Sequence, residues 1–374
     1  MKLNPIALAV PLFFMFIGVE LLIAKKMGRK VYRFADSITD LACGMTNQVI
    51  AIVFGAALLA GYTFFYDRAT LFHVPMWAQW LVAFVGVDFL YYWWHRASHE
   101  VNFFWAAHVV HHSSEDYNLA VALRQGAFTS MTSWPFYLPL AFLGVSPIVF
   151  ATMVALSTLY QFWIHTELVK PMPAVDRVIN TPSAHRVHHA INLRYLDKNY
   201  AAILMIWDRM FGSFEPETEV PVYGISVPLN SFSPLWAQLH YWGEMWKIAR
   251  AAPSFAQGFS VLWRSPAWQP AWIPKKESCY RPGGIEKYNP RPSRAVRLYV
   301  ISHFAVVAAM MFSILMWGEK LSRGWTYAAC GFVIVSLVSW GGLFEAKKWA
   351  RPLEVGRMVA LAAGVCSALF LSVR

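Results

Sequence analysis

The sequence predicts an all-α protein, built as a multi-pass bundle of about eight membrane-spanning helices. Hydrophobic residues make up 57% of the 374 residues and charged residues only 14%, which is too apolar for a soluble protein of this size. Eight apolar runs approach or exceed the roughly 20 residues with which a helix crosses a bilayer. These runs are residues 5–24, 41–66, 76–94, 127–143, 147–163, 296–317, 325–344 and 355–373.

The basic residues predict how these spans are oriented. If the first span ends in the cytosol at Lys25, only five of the 32 lysines and arginines lie outside, as expected when positive loops stay in the cytosol. This bias, together with contact to anionic lipid headgroups, explains the net charge of +11, so nucleic-acid binding is not expected. We expect a protein of the bacterial inner membrane, or of the endoplasmic reticulum if the source is eukaryotic.

Composition divides the chain into four parts. Residues 1–75 hold the first two spans, and residues 76–250 carry nearly all of the histidine. Residues 251–294 are rich in proline and tryptophan, which excludes a long helix and suits a cytosolic loop over the membrane face. Residues 295–374 form three more spans, in which we expect no polar constellation. His303 stands alone in one of them, so we do not expect it in a site.

Three histidine boxes lie in the second part of the chain. They hold eight of the 12 histidines, and at this frequency a given H-x2-H-H arises by chance only about 0.01 times in such a length. Positions i, i+3 and i+4 share one face of a helix, so we expect each box to direct its rings at a common point. The boxes are His95-x3-His99, His108-x2-His111-His112 and His185-x2-His188-His189.

The number of histidines indicates a centre with two metal ions. A heme uses one or two axial histidines and a zinc site three or four protein ligands, fewer than are present. Two ions with four or five ligands each fit the count, and imidazole suits iron as well as zinc. His165, at the inner end of the fifth run, is a ninth candidate ligand. We therefore expect a histidine-rich cap for two metals on the cytosolic side of the bundle.

The carboxylates near the boxes have two open interpretations. Asp88 lies seven residues before His95, on roughly the same helix face, and could orient that ligand. Glu100 adjoins the first box, and Glu115 and Asp116 follow the second. Any of them could instead form an ion pair on the cytosolic side. The candidate partners are Arg96, Arg124 and Arg186.

The order and spacing of the boxes, close to membrane spans, resemble the fatty acid hydroxylase superfamily, also called the sterol desaturase family. Longer stretches between residues 88 and 232, among them DFLYYWWHRASHE and WAAHVVHHSSEDYNLAVALRQ, are similar to its alkylglycerol monooxygenase branch. The resemblance implies a non-heme centre of two iron ions that activates O2 to hydroxylate or desaturate a lipid C–H bond. For this branch it implies an ether lipid as substrate, and essential roles for the box histidines and for Glu100.

Electrons for such a reaction must come from an external donor. The chain has no iron–sulfur cysteine set, no C-x2-C-H and no G-x-G-x2-G fingerprint. The resemblance implies tetrahydrobiopterin in this branch and cytochrome b5 or ferredoxin in others, and the sequence does not choose among them. The expected partners are a lipid substrate, the membrane and this donor, while the oligomeric state stays open.

Two other functions stay open at this point. A sterol, sphingolipid or fatty-acyl hydroxylase or desaturase would use the same centre on another lipid. A metal transporter would use the histidines for transport or sensing, and it predicts ligands deep within the spans with a polar pathway across the C-terminal half.

Overall fold

A computed structural model describes residues 5–281 and 284–372, and within these residues it is all-helical, without β-strands. The all-α prediction is confirmed. The α-helices are α1 (Pro5–Lys26), α2 (Phe34–Ala69), α3 (Met76–Glu100), α4 (Asn102–His112), α5 (Thr129–Phe142), α6 (Pro147–Trp163), α7 (Pro182–His189), α8 (Ile206–Met210), α9 (Pro234–Arg250), α10 (Phe255–Ser260), α11 (Arg294–Trp317), α12 (Arg323–Phe344) and α13 (Ala350–Ser372).

Four segments of the described chain are long and apolar enough to cross a membrane: Ile6–Lys26, Phe34–Ala69, Arg294–Lys320 and Arg323–Phe344. The helix α6 is apolar but has only 17 residues, about 26 Å of helix at 1.5 Å per residue. The helix α5 has 14 residues, about 21 Å against a hydrocarbon core of about 30 Å. Apolar helices long enough to span a membrane are thus present, while the count of about eight stays a prediction, and the last predicted run ends outside the described residues.

The long helix α2 contacts two cores at once. Near its start, Ala35 and Ile38 pack with Trp340 of α12 in one apolar cluster. Near its end, Tyr62 packs with residues of α3, α5 and α6 in a second cluster, and its ring stacks on Phe150 with centroids 4.1 Å apart. The helices α3, α5 and α6 and the C-terminal helix α12 are therefore joined through α2.

A polar cluster is buried among the C-terminal helices, where we expected none. Glu354 of α13 accepts a hydrogen bond from Arg357 Nε at 3.0 Å and from the Ser339 hydroxyl of α12 at 2.5 Å. Arg357 also donates to the Ser336 hydroxyl at 3.3 Å, and the Tyr299 hydroxyl of α11 donates to Glu354. The expectation was wrong because these side chains come from three helices, and no local spacing in the sequence reveals such a long-range grouping.

The turn between α3 and α4 places the first two histidine boxes side by side. Only Val101 separates the two helices. The next residue, Asn102, is buried, and its amide donates to the Val261 carbonyl at 2.8 Å while its carbonyl oxygen accepts from the Tyr241 hydroxyl at 2.6 Å. This satisfied amide fixes the corner in the protein interior, where an unpaired polar group would be costly.

The third box lies on α7, a helix of only eight residues. It begins with Pro182, whose fixed φ suits the first helical position. The Thr181 hydroxyl caps the helix by accepting from the Ala184 amide at 3.4 Å. Such a short helix is marginal by itself, so its position depends on these caps and on the packing of its buried side chains.

Candidate metal centre

Four segments carry nine histidines to one place in the protein. The helix α3 supplies two, α4 supplies three, the segment just after α6 supplies one and α7 supplies three. The nine are all of the sequence-predicted ligands: His95, His99, His108, His111, His112, His165, His185, His188 and His189.

The nine imidazoles form two groups, and in each group one nitrogen of every ring lies within 4.8 Å of those of the other members. Within the described residues, both groups consist of histidine alone, without a cysteine or a carboxylate. The five-histidine group consists of His95, His99, His108, His112 and His188. The four-histidine group consists of His111, His165, His185 and His189.

Each H-x2-H-H box divides its histidines between the two groups, so the expectation that a box aims at one point was wrong. In the second box, His108 and His112 join the five-histidine group and His111 joins the other. Positions i and i+4 lie almost above one another on a helix, whereas neighbours in sequence are about 100° apart. The adjacent His111 and His112 accordingly belong to different groups. In the third box, His185 and His189 join the four-histidine group and His188 joins the five-histidine group.

Backbone carbonyls set the direction of several rings. A ring whose Nδ1–H donates to a carbonyl keeps its Nε2 lone pair free for a metal, and such outer contacts are typical of metal-binding histidines. Sequence inspection could not find these acceptors, because every residue carries a carbonyl. The pairs are His95 with Tyr200 O (2.7 Å), His111 with Arg124 O (3.0 Å), His165 with Gln161 O (2.7 Å) and His188 with Lys198 O (2.9 Å).

The nitrogen spacing fits a pair of bound metal ions. Ligands at about 2.1 Å from a metal and at right angles to each other are about 3.0 Å apart. The Nε2 atom of His108 lies 3.0 Å from that of His95 and 3.1 Å from that of His112. In the second group, His165 Nε2 lies 3.2 Å from His111 Nε2 and 3.1 Å from His185 Nε2. Metal binding would account for so many lone pairs converging on two points.

Three of the box histidines have buried nitrogens that lack a protein partner. Within the described chain, Nε2 of His99, Nε2 of His188 and Nδ1 of His185 make no hydrogen bond. Buried polar atoms without partners are costly in a folded protein. A metal ion would supply the missing interaction of the two Nε2 atoms, so these donors fit the implied metals.

Burial keeps these imidazoles neutral, which is the form that binds a metal. It lowers the pKa of His111 to about 4 and that of His188 to about 3. Burial also lowers the pKa of His108, His112 and His185 well below the usual value, and neighbouring histidines add to this shift.

We expect the metal-free protein to lose stability as the pH falls below about 6.5, the ordinary pKa of histidine. Between pH 6.5 and about 4, His111 binds a proton in the unfolded chain but not in the folded one. The unfolded state then holds more protons, so stability rises with pH in this window. Melting temperatures of the metal-free protein between pH 7.5 and pH 5 check this, and a constant or rising melting temperature on acidification would contradict it.

Glu100 is not brought together with the histidine groups. Its half-exposed carboxylate lies at the end of α3 and accepts from Arg96 Nε at 2.9 Å. The ion-pair interpretation therefore holds for Glu100 in this structure.

Asp88 does not contact His95 but accepts from the Ile203 amide at 2.8 Å and from Trp207 Nε1 at 2.8 Å. Asp88 thus holds the segment after Tyr200 in place. The prediction that Asp88 orients His95 directly is wrong.

Glu115 and Asp116 form ion pairs, but with residues other than the three arginines that we expected. Asp116 accepts from Arg33 Nε at 2.8 Å and from Lys287 Nζ at 2.7 Å. Glu115 accepts from the Tyr288 amide at 2.7 Å. The two carboxylates therefore fasten the proline-rich segment and the start of α2 to the end of the second box.

A cavity of about 560 Å³ opens onto both histidine groups, a size common for small-molecule sites. His99, His112 and His188 of the five-histidine group and His189 of the other lie in its wall. Further lining residues come from three segments: Trp105 and Val109 of α4, Ile225, Val227 and Leu229 after α8, and Trp236, Tyr241, Met245 and Ile248 of α9.

The proline- and tryptophan-rich segment covers this cavity. Pro266, Trp268 and Ile273 contribute to its lining. The segment is fastened to α9 by the ion pair between Lys276 and Glu244 and by a hydrogen bond from Trp272 Nε1 to the Ile248 carbonyl at 3.1 Å. The sequence missed α9 as part of the site, because its lining residues carry no local motif.

Comparison with known proteins agrees with this arrangement. The Fatty acid hydroxylase family matches residues 80–213. An alkylglycerol monooxygenase from Homo sapiens is 37% identical over 93% of this chain and 80% of its own length, and one from Xenopus tropicalis is 37% identical over 92% and 78%. An ornithine lipid hydroxylase from Rhizobium tropici is 28% identical over 49% of this chain and 58% of its own. No solved structure is significantly similar to the chain.

The chain belongs to the fatty acid hydroxylase family. Within that family it is similar to the alkylglycerol monooxygenases along nearly its whole length. The resemblance inferred from the histidine boxes is thereby confirmed.

Proposed function

We propose that this protein is an integral-membrane, non-heme di-iron monooxygenase that uses O2 to hydroxylate a C–H bond in the alkyl chain of an ether lipid. The observation that carries the proposal is the pair of all-histidine groups on one cavity. It occurs in a chain that is 37% identical to alkylglycerol monooxygenases over most of its length. The substrate class comes from the names of those relatives.

The two histidine groups would each hold one iron ion through neutral Nε2 atoms. When bound, the iron supplies the O2 chemistry that an unactivated C–H bond requires. The protein's own share is to hold the rings in place through the backbone carbonyls and to keep the site dry. Electrons come from an external donor, for which we propose tetrahydrobiopterin, with cytochrome b5 and ferredoxin as the alternatives to be tested.

The cavity would position the lipid. Apolar side chains such as Trp105, Val109 and Met245 line it near the histidines, and the Glu244–Lys276 pair provides polar groups on its wall. The alkyl chain of the lipid can pack against the apolar side chains, and a hydroxylated headgroup can form hydrogen bonds with Glu244 and Lys276. The covering segment keeps bulk water from the reacting carbon.

We propose that Glu100 acts as a positioning residue. Its carboxylate holds Arg96, whose guanidinium donates to the Tyr92 hydroxyl at 3.1 Å. Tyr92 in turn packs against Tyr200 at 6.1 Å between centroids, next to the five-histidine group. Glu100 would therefore position the site through Arg96, Tyr92 and Tyr200, without contacting a histidine of either group.

The proposed topology has about eight spans, with residues 76–250 as the catalytic region and its histidine cap on the cytosolic face. The bias of basic residues supports this orientation. A metal transporter is disfavoured, since that function predicts ligands deep in the spans. None of the nine histidines falls within the four segments of the described chain that are long and apolar enough to cross a membrane.

Turnover of defined lipids tests the function. Purified protein in detergent, supplied with iron, O2, NADPH and a recycled pterin, should consume an alkylglycerol and should stop when any one of these is left out. Cytochrome b5 and ferredoxin replace the pterin in parallel reactions. A sterol and a sphingolipid replace the substrate as controls, and product from them but not from alkylglycerol would overturn the ether-lipid proposal and leave the family chemistry standing.

A further inference from the structure

Tyr200 lies directly against the five-histidine group. Its side chain is fully buried, with 1% of the residue exposed. The ring centroid is 5.4 Å from that of His99 and 6.0 Å from those of His95 and His188. Three of the five proposed ligands of one metal thus contact a tyrosine whose hydroxyl has no role in the proposed function.

The main chain of Tyr200 is fully engaged. Its amide donates to Asp208 Oδ1 at 2.8 Å, and its carbonyl accepts from His95 Nδ1 at 2.7 Å. Both bonds fix the residue relative to the site, so the tyrosine ring has a defined position beside the histidines.

The Tyr200 hydroxyl, by contrast, is buried without a hydrogen-bond partner anywhere in residues 5–281 and 284–372. Other buried tyrosines satisfy this group: Tyr62 donates to the Val145 carbonyl and Tyr117 to the Ile164 carbonyl, each at 3.0 Å. A buried hydroxyl is a donor at neutral pH, and leaving it unpaired costs free energy. An unpaired donor beside a metal site points to a partner that belongs to the site.

The composition of the neighbouring group indicates what that partner is. Five imidazoles would hold a metal ion at this group, and a metal that takes six ligands would have room for one further small ligand. Water and hydroxide are the ligands that commonly fill such a position and can accept a hydrogen bond from a hydroxyl.

We propose that the Tyr200 hydroxyl donates a hydrogen bond to a water or hydroxide held at the five-histidine group. This inference depends on the proposed metal centre. It predicts that the hydroxyl contributes to metal binding and contributes nothing to the stability of the metal-free protein.

The test compares Tyr200→Phe with Tyr62→Phe and the wild type, using Co²⁺ as a probe in metal-free protein. Each variant loses one buried hydroxyl and keeps its ring. Tyr200→Phe should melt at the same temperature as the metal-free wild type or higher, because it loses only an unpaired group. Tyr62→Phe should melt lower, because it leaves the Val145 carbonyl unpaired.

Co²⁺ titration followed by visible absorption gives the second measurement. Tyr200→Phe should bind Co²⁺ about 10- to 100-fold more weakly, the usual effect of removing a group that bonds to a metal's ligands, whereas Tyr62→Phe should bind it like the wild type. A lower melting temperature of metal-free Tyr200→Phe, or an affinity within threefold of the wild type, would overturn the inference. A wild type that binds no Co²⁺ would overturn the metal centre itself.

Discussion

Replacing His111 by alanine is expected to abolish turnover, with a loss of at least about 100-fold. His111 Nε2 lies 3.2 Å from that of His165, and the ring is held by the Arg124 carbonyl. Its loss leaves three imidazoles in the four-histidine group, which is one fewer than the proposed metal requires. Iron content and turnover measured on the same preparation check the prediction.

His303→Ala is the matched control for this experiment. His303 lies on α11, where its Nδ1 bonds to the Tyr299 carbonyl at 2.9 Å, and it belongs to neither group. We expect wild-type iron content and turnover. Equal losses in the two variants would show that the site is misplaced.

Replacing Arg124 by methionine is expected to destabilise the protein by about 3–5 kcal/mol, the usual effect of removing one partner from a buried ion pair. Arg124 Nη1 donates to Asp40 Oδ1 at 2.9 Å, and both side chains are at most 2% exposed. Arg124 Nε also donates to the Val110 carbonyl at 2.9 Å. The substitution leaves the buried Asp40 carboxylate without its ion-pair partner and removes a hydrogen bond at the end of α4. The free energy of unfolding in detergent measures the loss.

Two further variants show whether the stranded charge causes the loss. Arg194→Met removes an ion pair with Glu215 whose arginine side chain is 53% exposed, and it should cost at most about 1 kcal/mol. Adding Asp40→Asn to Arg124→Met should recover part of the loss, because it removes the unpaired charge. Equal costs for Arg124→Met and Arg194→Met would contradict this account.

The sequence was sufficient to predict which histidines come together. Eight histidines at helical spacing, together with His165 at a span end, predicted the nine rings that the structure brings together. It was not sufficient for their division into two groups. That division depends on how α4 and α7 pack in the folded protein, where His111 joins the histidines of α7 and His188 joins those of α3 and α4.

The features that the sequence did not reveal are made by long-range contacts. Tyr200 and Lys198 act through main-chain carbonyls, which every residue has. The cavity wall on α9 and the buried Glu354–Arg357 cluster join segments that are far apart in the chain. The count of about eight spans also stays a prediction, because α5 has only 14 residues, about 21 Å of helix against a hydrocarbon core of about 30 Å.

We propose that the nine histidines hold two iron ions in one chain. The iron and zinc content of protein purified without oxygen, measured per chain by elemental analysis, tests this proposal. We expect about two iron ions per chain and little zinc. One tightly held zinc ion, or no metal at all, would contradict the proposal.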